Sequence, residues 1–111
     1  MKFCDVWMVL PNRTIGYGDI EISGAKISAI NLKNSNGASY ERLVMPGLVN
    51  AHSHAPMTLV RGLGGGLPLQ RGLEEAIFPV EAKMTKDNVY AGAVWGAMEM
   101  LSSGTTTVAD M

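Results

Sequence analysis

The chain has 111 residues, 47% apolar, 17% charged and 6% aromatic, and nine Lys and Arg against ten Asp and Glu leave a net charge of −1. That is the composition of a soluble globular domain, not of a disordered or fibrous segment, and the balanced charge without a Lys/Arg cluster excludes a nucleic-acid or anionic-membrane surface. The longest apolar stretch, Val89 to Met98, is too short for a membrane span, and the chain is too short for a complete (β/α)8 barrel, which takes about 250 residues.

Residues 3–45 read as β structure. Phe3–Leu10 is a strand rich in Val, Trp and Phe, stopped by Pro11-Asn12. Ile15–Ile22 and Ala25–Leu32 follow, with Ser23-Gly24 as the turn pair between them. The third strand alternates imperfectly, Ile27 and Ala29 against Ile30 and Leu32, which predicts a bulge or cover on both faces. Asn34 to Ser39 is a polar loop. Cys4 is the single cysteine, so no internal disulfide forms; a small buried hydrophobe in a reducing cytoplasm is the expectation. The opening Met-Lys-Phe-Cys-Asp has an acid where a signal peptide needs its apolar stretch.

From Leu43 onward the pattern changes to strand, helix, strand. Leu43–Ala51 is an apolar stretch broken by Pro46-Gly47 and suits a buried parallel strand. A glycine-rich connection follows, in which Gly62–Gly66 reads as a flexible loop, because no Gly-Lys-Ser/Thr accompanies it to make a phosphate loop. Glu74-Glu75 opens a short solvated helix. A helix of about five turns comes next, with Thr85 as N-cap, Asp87 in the first turn and Gly104 beyond its end. Tyr90, Val94, Ala97, Met98 and Leu101 share one apolar face of it. Thr105–Ala109 is β-branched and returns as the second strand, so the fold class is α/β.

His52-Ser53-His54 ends the first of these strands. Side chains two apart on a strand share a face, so both imidazoles can reach one point at the carboxyl end of a parallel strand, where α/β folds place their active sites. Neutral imidazole is a good ligand for zinc, iron or nickel. A bare H-x-H is a weak signal, and two partly exposed histidines at a loop start is the competing reading. Glu81 likewise reads as an acid just before a helix, near its positive end.

The run Val44-Met45-Pro46-Gly47-Leu48-Val49-Asn50-Ala51-His52-Ser53-His54 resembles the first barrel strand of the amidohydrolase superfamily. Met57, Arg61-Gly62, Leu67-Pro68-Leu69, Leu73-Glu74-Glu75, Pro79-x-Glu81 and Gly104-Thr105-Thr106-Thr107 follow in the same order. Upstream, Gly18-Asp19-Ile20-Glu21-Ile22 and Ile27-Ser28-Ala29-Ile30 resemble that family's amino-terminal β segment. The subgroup it is most similar to contains methylthioadenosine/S-adenosylhomocysteine deaminases and chlorotriazine and guanine-type aminohydrolases. The local departures are Gly65-Gly66 in place of an Asp pair and Arg71-Gly72-Leu73 in place of Asp-Trp-Leu.

The resemblance implies residues 1–45 as part of a small β-sandwich and residues 46–111 as the first β-α-β unit of an incomplete metal-dependent (β/α)8 barrel. It implies His52 and His54 as ligands of a divalent metal, zinc with iron and nickel as alternatives, and Glu81 as a substrate contact through ribose hydroxyls. No catalytic residue is assigned, because the family's remaining ligands and its acid–base glutamate lie on later strands. Asp110 does not match the family's metal aspartate and reads as a strand-end hydrogen-bonding residue. The implied activity is hydrolysis of C–N or C–Cl bonds in a small ring substrate, purine nucleoside or triazine, with the amino-terminal portion alone inactive. A non-catalytic truncated module, or half of a split enzyme, is the alternative. A chain ending on a strand also predicts a homo-oligomer or a missing carboxyl-terminal half, with no nucleic-acid or membrane partner.

Overall fold

The computed structural model describes residues 1–111 and divides into two compact units, Met1–Pro46 and Gly47–Met111. The first is a four-stranded sheet of β1 (Lys2–Val9), β2 (Ile15–Ser23), β3 (Lys26–Leu32) and β4 (Leu43–Val44), in the order β3-β2-β1-β4. Neighbours are antiparallel except β1 and β4, which run parallel with Trp7 opposite Leu43. Gly24, at φ 60°, sits in the two-residue turn that leaves Ser23 paired with Lys26, one residue beyond the expected Ser23-Gly24 pair.

Alternation puts Val6, Met8 and Ile20 on one buried face, with Leu10, Ile22 and Val44 packed around them. Two bulges adjust this pattern. In β3 the extra residue is Ser28, whose hydroxyl donates to the Glu21 carbonyl (3.1 Å). In β1, Cys4 and Asp5 together oppose Asp19, and Asp5 takes φ 55°. Cys4 is therefore not a buried hydrophobe. It is an exposed thiol, because the register breaks before the buried run begins at Val6. Trp7 fixes the loop after β3: its ring stacks on Tyr40 (4.6 Å between centroids) and its Nε1 donates to the Ser39 carbonyl (2.8 Å).

Asp19 is the one buried charged residue. Its carboxylate accepts from Lys33 Nζ (2.5 Å) and from the Asp5 amide of the bulge (3.1 Å), with Lys2 Nζ 3.3 Å away. The Lys33 ammonium, and after it the Asp5 amide, hold this carboxyl down to about 2, from an ordinary 3.8. The unfolded chain thus binds more protons than the folded one between about pH 4 and pH 2. Stability from this group is complete above that window and is lost as the pH falls through it. The gap in Tm between wild type and Asp19→Asn should accordingly be widest above pH 4 and close toward pH 2, as read by circular dichroism melts. A gap independent of pH would overturn the assignment.

The second unit pairs β5 (Leu48–Ser53) with β6 (Thr105–Asp110) in parallel, and the chain between them includes the long helix α3 (Lys86–Ser102). The apolar stretch read as one strand is thus two. Pro46-Gly47 ends it, β4 joins the first unit's sheet and β5 joins the second's. Nor is β5 buried: with a strand on one side only, Leu48 is 50% and Val49 69% exposed.

Gly62–Gly66 lie in turns outside any helix, and the rest of the connection after β5 is largely helical. A 3-10 helix spans Ala55–Val60, and a second helical run holds α1 (Leu69–Gly72), a wide turn at Leu73–Ile77, and α2 (Phe78–Glu81). The side-chain pairs Gln70–Glu74 and Arg71–Glu75 are i,i+4 supports for that run, placing Glu74-Glu75 inside it and not at a helix start. The wide turn has a local cause: Pro79 has no N–H, and its ring crowds the carbonyl four residues back.

The expected ends of α3 are present. Thr85 and Asn88 form a reciprocal capping box, and Gly104 takes φ 89° just beyond Ser103. Its packed face is not the apolar one. Tyr90, Val94, Met98 and Leu101 are between 41% and 73% exposed, whereas Gly92 and Gly96 are buried. Those two glycines let the 3-10 helix approach at backbone distance, since a Cβ at Gly92 would lie 2.5 Å from the Pro56 carbonyl oxygen. Arg61 closes the same interface with two hydrogen bonds to Glu99, which also accepts from Trp95 Nε1 (2.8 Å). No helix is long and apolar enough to cross a membrane.

Candidate functional site

β5 ends in a bulge, Asn50 opposing Val108 and Ser53 opposing Asp110, so that Ala51 and His52 share one partner position. Asn50 stabilises it locally, its Oδ1 accepting from the His52 amide (3.3 Å). The bulge re-aims the strand end. The imidazoles of His52 and His54 come to 5.1 Å between centroids, edge to face at 76°, and both residues are exposed.

His54 is also the residue before the 3-10 helix, whose first turn it starts by accepting from the Met57 amide (2.9 Å). Beside it is a cleft of about 250 Å³ shared by His54, Pro56, Met57, Glu81, Met84, Val89 and Met111. Glu81 reaches this cleft from the last position of α2. A second, more open cleft of about 360 Å³ lies between β5, the 3-10 helix and α3, and includes Asn50, His54, Arg61 and Glu99. The carboxyl of Glu99 is held below its ordinary range, first by the Arg61 guanidinium and then by the Trp95 indole N–H. These groups satisfy one another and tie the 3-10 helix to α3.

Sequence reasoning did not assign Met57, Met84 or Met111 to a site, although all three line the cleft that His54 and Glu81 share. Nor did it reach the Asn50 bulge, although Asn two residues before a strand-end His is a local side-chain-to-backbone signature. Asp110 does act as a strand-end hydrogen-bonding residue: its Oδ1 accepts from the Ala55 amide (2.8 Å).

Residues 43–111 match the model of the amidohydrolase family. The chain belongs to that family.

Among its relatives, the chain is 56% identical over 69 residues to a 5-methylthioadenosine/S-adenosylhomocysteine deaminase of Syntrophobacter fumaroxidans, a match that takes in 62% of the present chain and 16% of the relative. It is 46% identical over 99 residues to a 5'-deoxyadenosine deaminase of Methanosarcina barkeri, covering 85% of this chain and 23% of the other. A crystal structure of an adenosine deaminase from Xanthomonas campestris with bound zinc superposes with a TM-score of 0.75 at 33% identity, over 97% of this chain and 29% of that one. The chain thus spans less than a third of the length of each, over the amino-terminal part of the deaminases.

The ring spacing of His52 and His54 can be compared with what one shared ion requires. Two imidazoles bound to one tetrahedral ion at the usual Zn–N distance of about 2.0–2.1 Å have ring centroids roughly 5 Å apart. His52 and His54 stand at 5.1 Å. No third His, Cys, Asp or Glu joins them to complete a ligand group within the chain.

Proposed function

We propose that this chain supplies the His52/His54 ligand pair and the substrate-contacting Glu81 of a zinc-dependent hydrolytic deaminase acting on adenosine-type nucleosides. The spacing of the two imidazoles is the observation that carries this reading. On it, residues 1–45 are the amino-terminal β segment of a composite sandwich, residues 46–111 begin the barrel, and the remaining ligands and the acid–base carboxylate come from protein outside these residues. The relatives' names support the C–N arm of the expected chemistry over the C–Cl arm. The exposed face of α3 is then covered by the rest of the barrel.

The chain's own residues perform separable tasks. His52 and His54 hold the ion, which when bound acidifies a water and supplies the electrophilic charge that hydrolysis needs. Glu81 accepts two charge-assisted hydrogen bonds from paired ribose hydroxyls at the far side of the cleft. Met57, Met84 and Pro56 give the space between them apolar surface against which a ring can pack.

Zinc titration by calorimetry tests the reading. Wild type should bind weakly, because two neutral ligands leave half a tetrahedral sphere to water, and His52→Ala and His54→Ala should each abolish the signal. Binding by the double variant equal to wild type would sink the proposal. The isolated chain should release no ammonia from adenosine or 5'-deoxyadenosine above background; turnover that His54→Ala removes would show that the chemistry needs less than a full ligand set.

A further inference from the structure

We infer that Asp110 is a positioning residue for His54, acting through the backbone of Ala55; the inference rests on the reading of His52 and His54 as a ligand pair. His54 has an exposed side chain and directly precedes the 3-10 helix, at φ −128° and ψ 69°. Its imidazole is therefore only as well placed as the backbone that carries it. That backbone is held at the next residue, Ala55, the one buried residue of the 3-10 helix.

Ala55 is gripped on three sides. Its amide donates to Asp110 Oδ1 (2.8 Å), its carbonyl accepts from Thr58 Oγ1 (2.7 Å), and a Cβ at Gly96 would lie 3.0 Å from its carbonyl oxygen and 3.3 Å from its methyl. The first grip stands apart, because it comes from the other strand. Asp110 pairs with Ser53, and the Met111 amide donates to the Ser53 carbonyl (3.1 Å), so the last two residues of the chain bracket His54. The Ala55 amide is an orphan donor of a helix first turn, which a carboxylate satisfies better than water does.

The hydrogen bond, not the charge, is what this geometry requires, and the two are separable. Asp110→Ala should weaken zinc binding about five- to tenfold, the scale of one lost hydrogen bond. It should also weaken the nuclear Overhauser contact between the His52 and His54 ring protons. Asp110→Asn, which keeps an acceptor oxygen, should recover most of both. In wild type the Ala55 amide should be protected from hydrogen exchange, a measurement that stands even where a variant fails to fold.

Wild-type affinity and ring contact in Asp110→Ala would overturn the inference. So would an Asn variant as weak as Ala, which would make the effect one of charge, and so would a freely exchanging Ala55 amide in the folded chain. If instead wild type and the His52→Ala/His54→Ala variant titrate alike, it is the ligand assignment that fails.

Discussion

Gly92→Ala should destabilise the second unit by about 1–3 kcal/mol, although alanine is the better helix former by about 1 kcal/mol. On an open helix face the propensity term would win. Here the added methyl would lie 2.5 Å from the Pro56 carbonyl oxygen, 3.0 Å from Pro56 Cα and 3.1 Å from Leu59 Cγ. Two of those atoms are backbone in a proline-started turn and cannot rotate aside, so the 3-10 helix must move off α3. Gly96→Ala should cost less, since its nearest contacts are at 3.0 Å and one is the Thr58 hydroxyl. Urea titration decides it, and a Gly92→Ala variant as stable as wild type would mean that the helix and the 3-10 turn are not in contact.

The second large effect is expected at Gly47, where a Cβ would fall 2.0 Å from Thr106 Oγ1, 2.4 Å from its Cγ2 and 2.7 Å from its Cβ. Thr106 is the extra residue where the β5–β6 register shifts between Leu48–Thr105 and Val49–Thr107. A β-branched side chain has few rotamers with which to escape, so Gly47→Ala should cost about 1–3 kcal/mol. The pair should be strongly coupled. In a Thr106→Gly background the same substitution should cost much less, whereas Thr106→Ala still leaves its Cβ in the way. Additive costs in the double-mutant cycle would show that Gly47 is needed for some reason other than room.

Much of the architecture was readable because local signals agreed with one another. Pro11-Asn12 and Gly24 mark the turns between strands whose alternation carries Val6, Met8 and Ile20 inward, and Thr85 and Gly104 bracket α3. What was not readable depends on distant partners. The break at Pro46-Gly47 is visible in the sequence, but that Leu43 pairs with Trp7 is a property of the folded sheet. Of the run from Leu69 to Glu81 only the part from Glu74 was read as helix, although Arg71 and Glu75 at i,i+4 were a signal for its earlier start. On α3 the apolar period marks an exposed face, while two glycines four apart mark the packed one, a pattern that hydrophobicity does not register.

The site divides the same way. The strand period puts His52 and His54 near one another but only the resemblance marks them as a pair, and the bulge before them depends on Ala109 offering one position to two residues. Glu81 stood out only through the resemblance, because nothing in the sequence around it tells a substrate contact from a helix-end acid. The methionines of the cleft have no titratable group and left no trace as site residues.

The parallel pairing of β5 with β6 also has a kinetic meaning. In the first unit Val9 meets Ile15 across a short turn, whereas the second unit must bring together residues as distant as Leu48 and Thr105. Loop-closure entropy makes the later pairing about 2 kcal/mol harder to initiate, before any contact offsets it. The meander should therefore fold early and the strand–helix–strand unit late. Because the bonds from Asp110 and Met111 reach Ala55 and Ser53 only when β6 docks, the two imidazoles would acquire their final spacing in the last step of folding. Stopped-flow tryptophan fluorescence separates the phases: Trp7 reports the meander and Trp95 the slower unit, so a Trp95→Phe variant should lose the slow phase and keep the fast one.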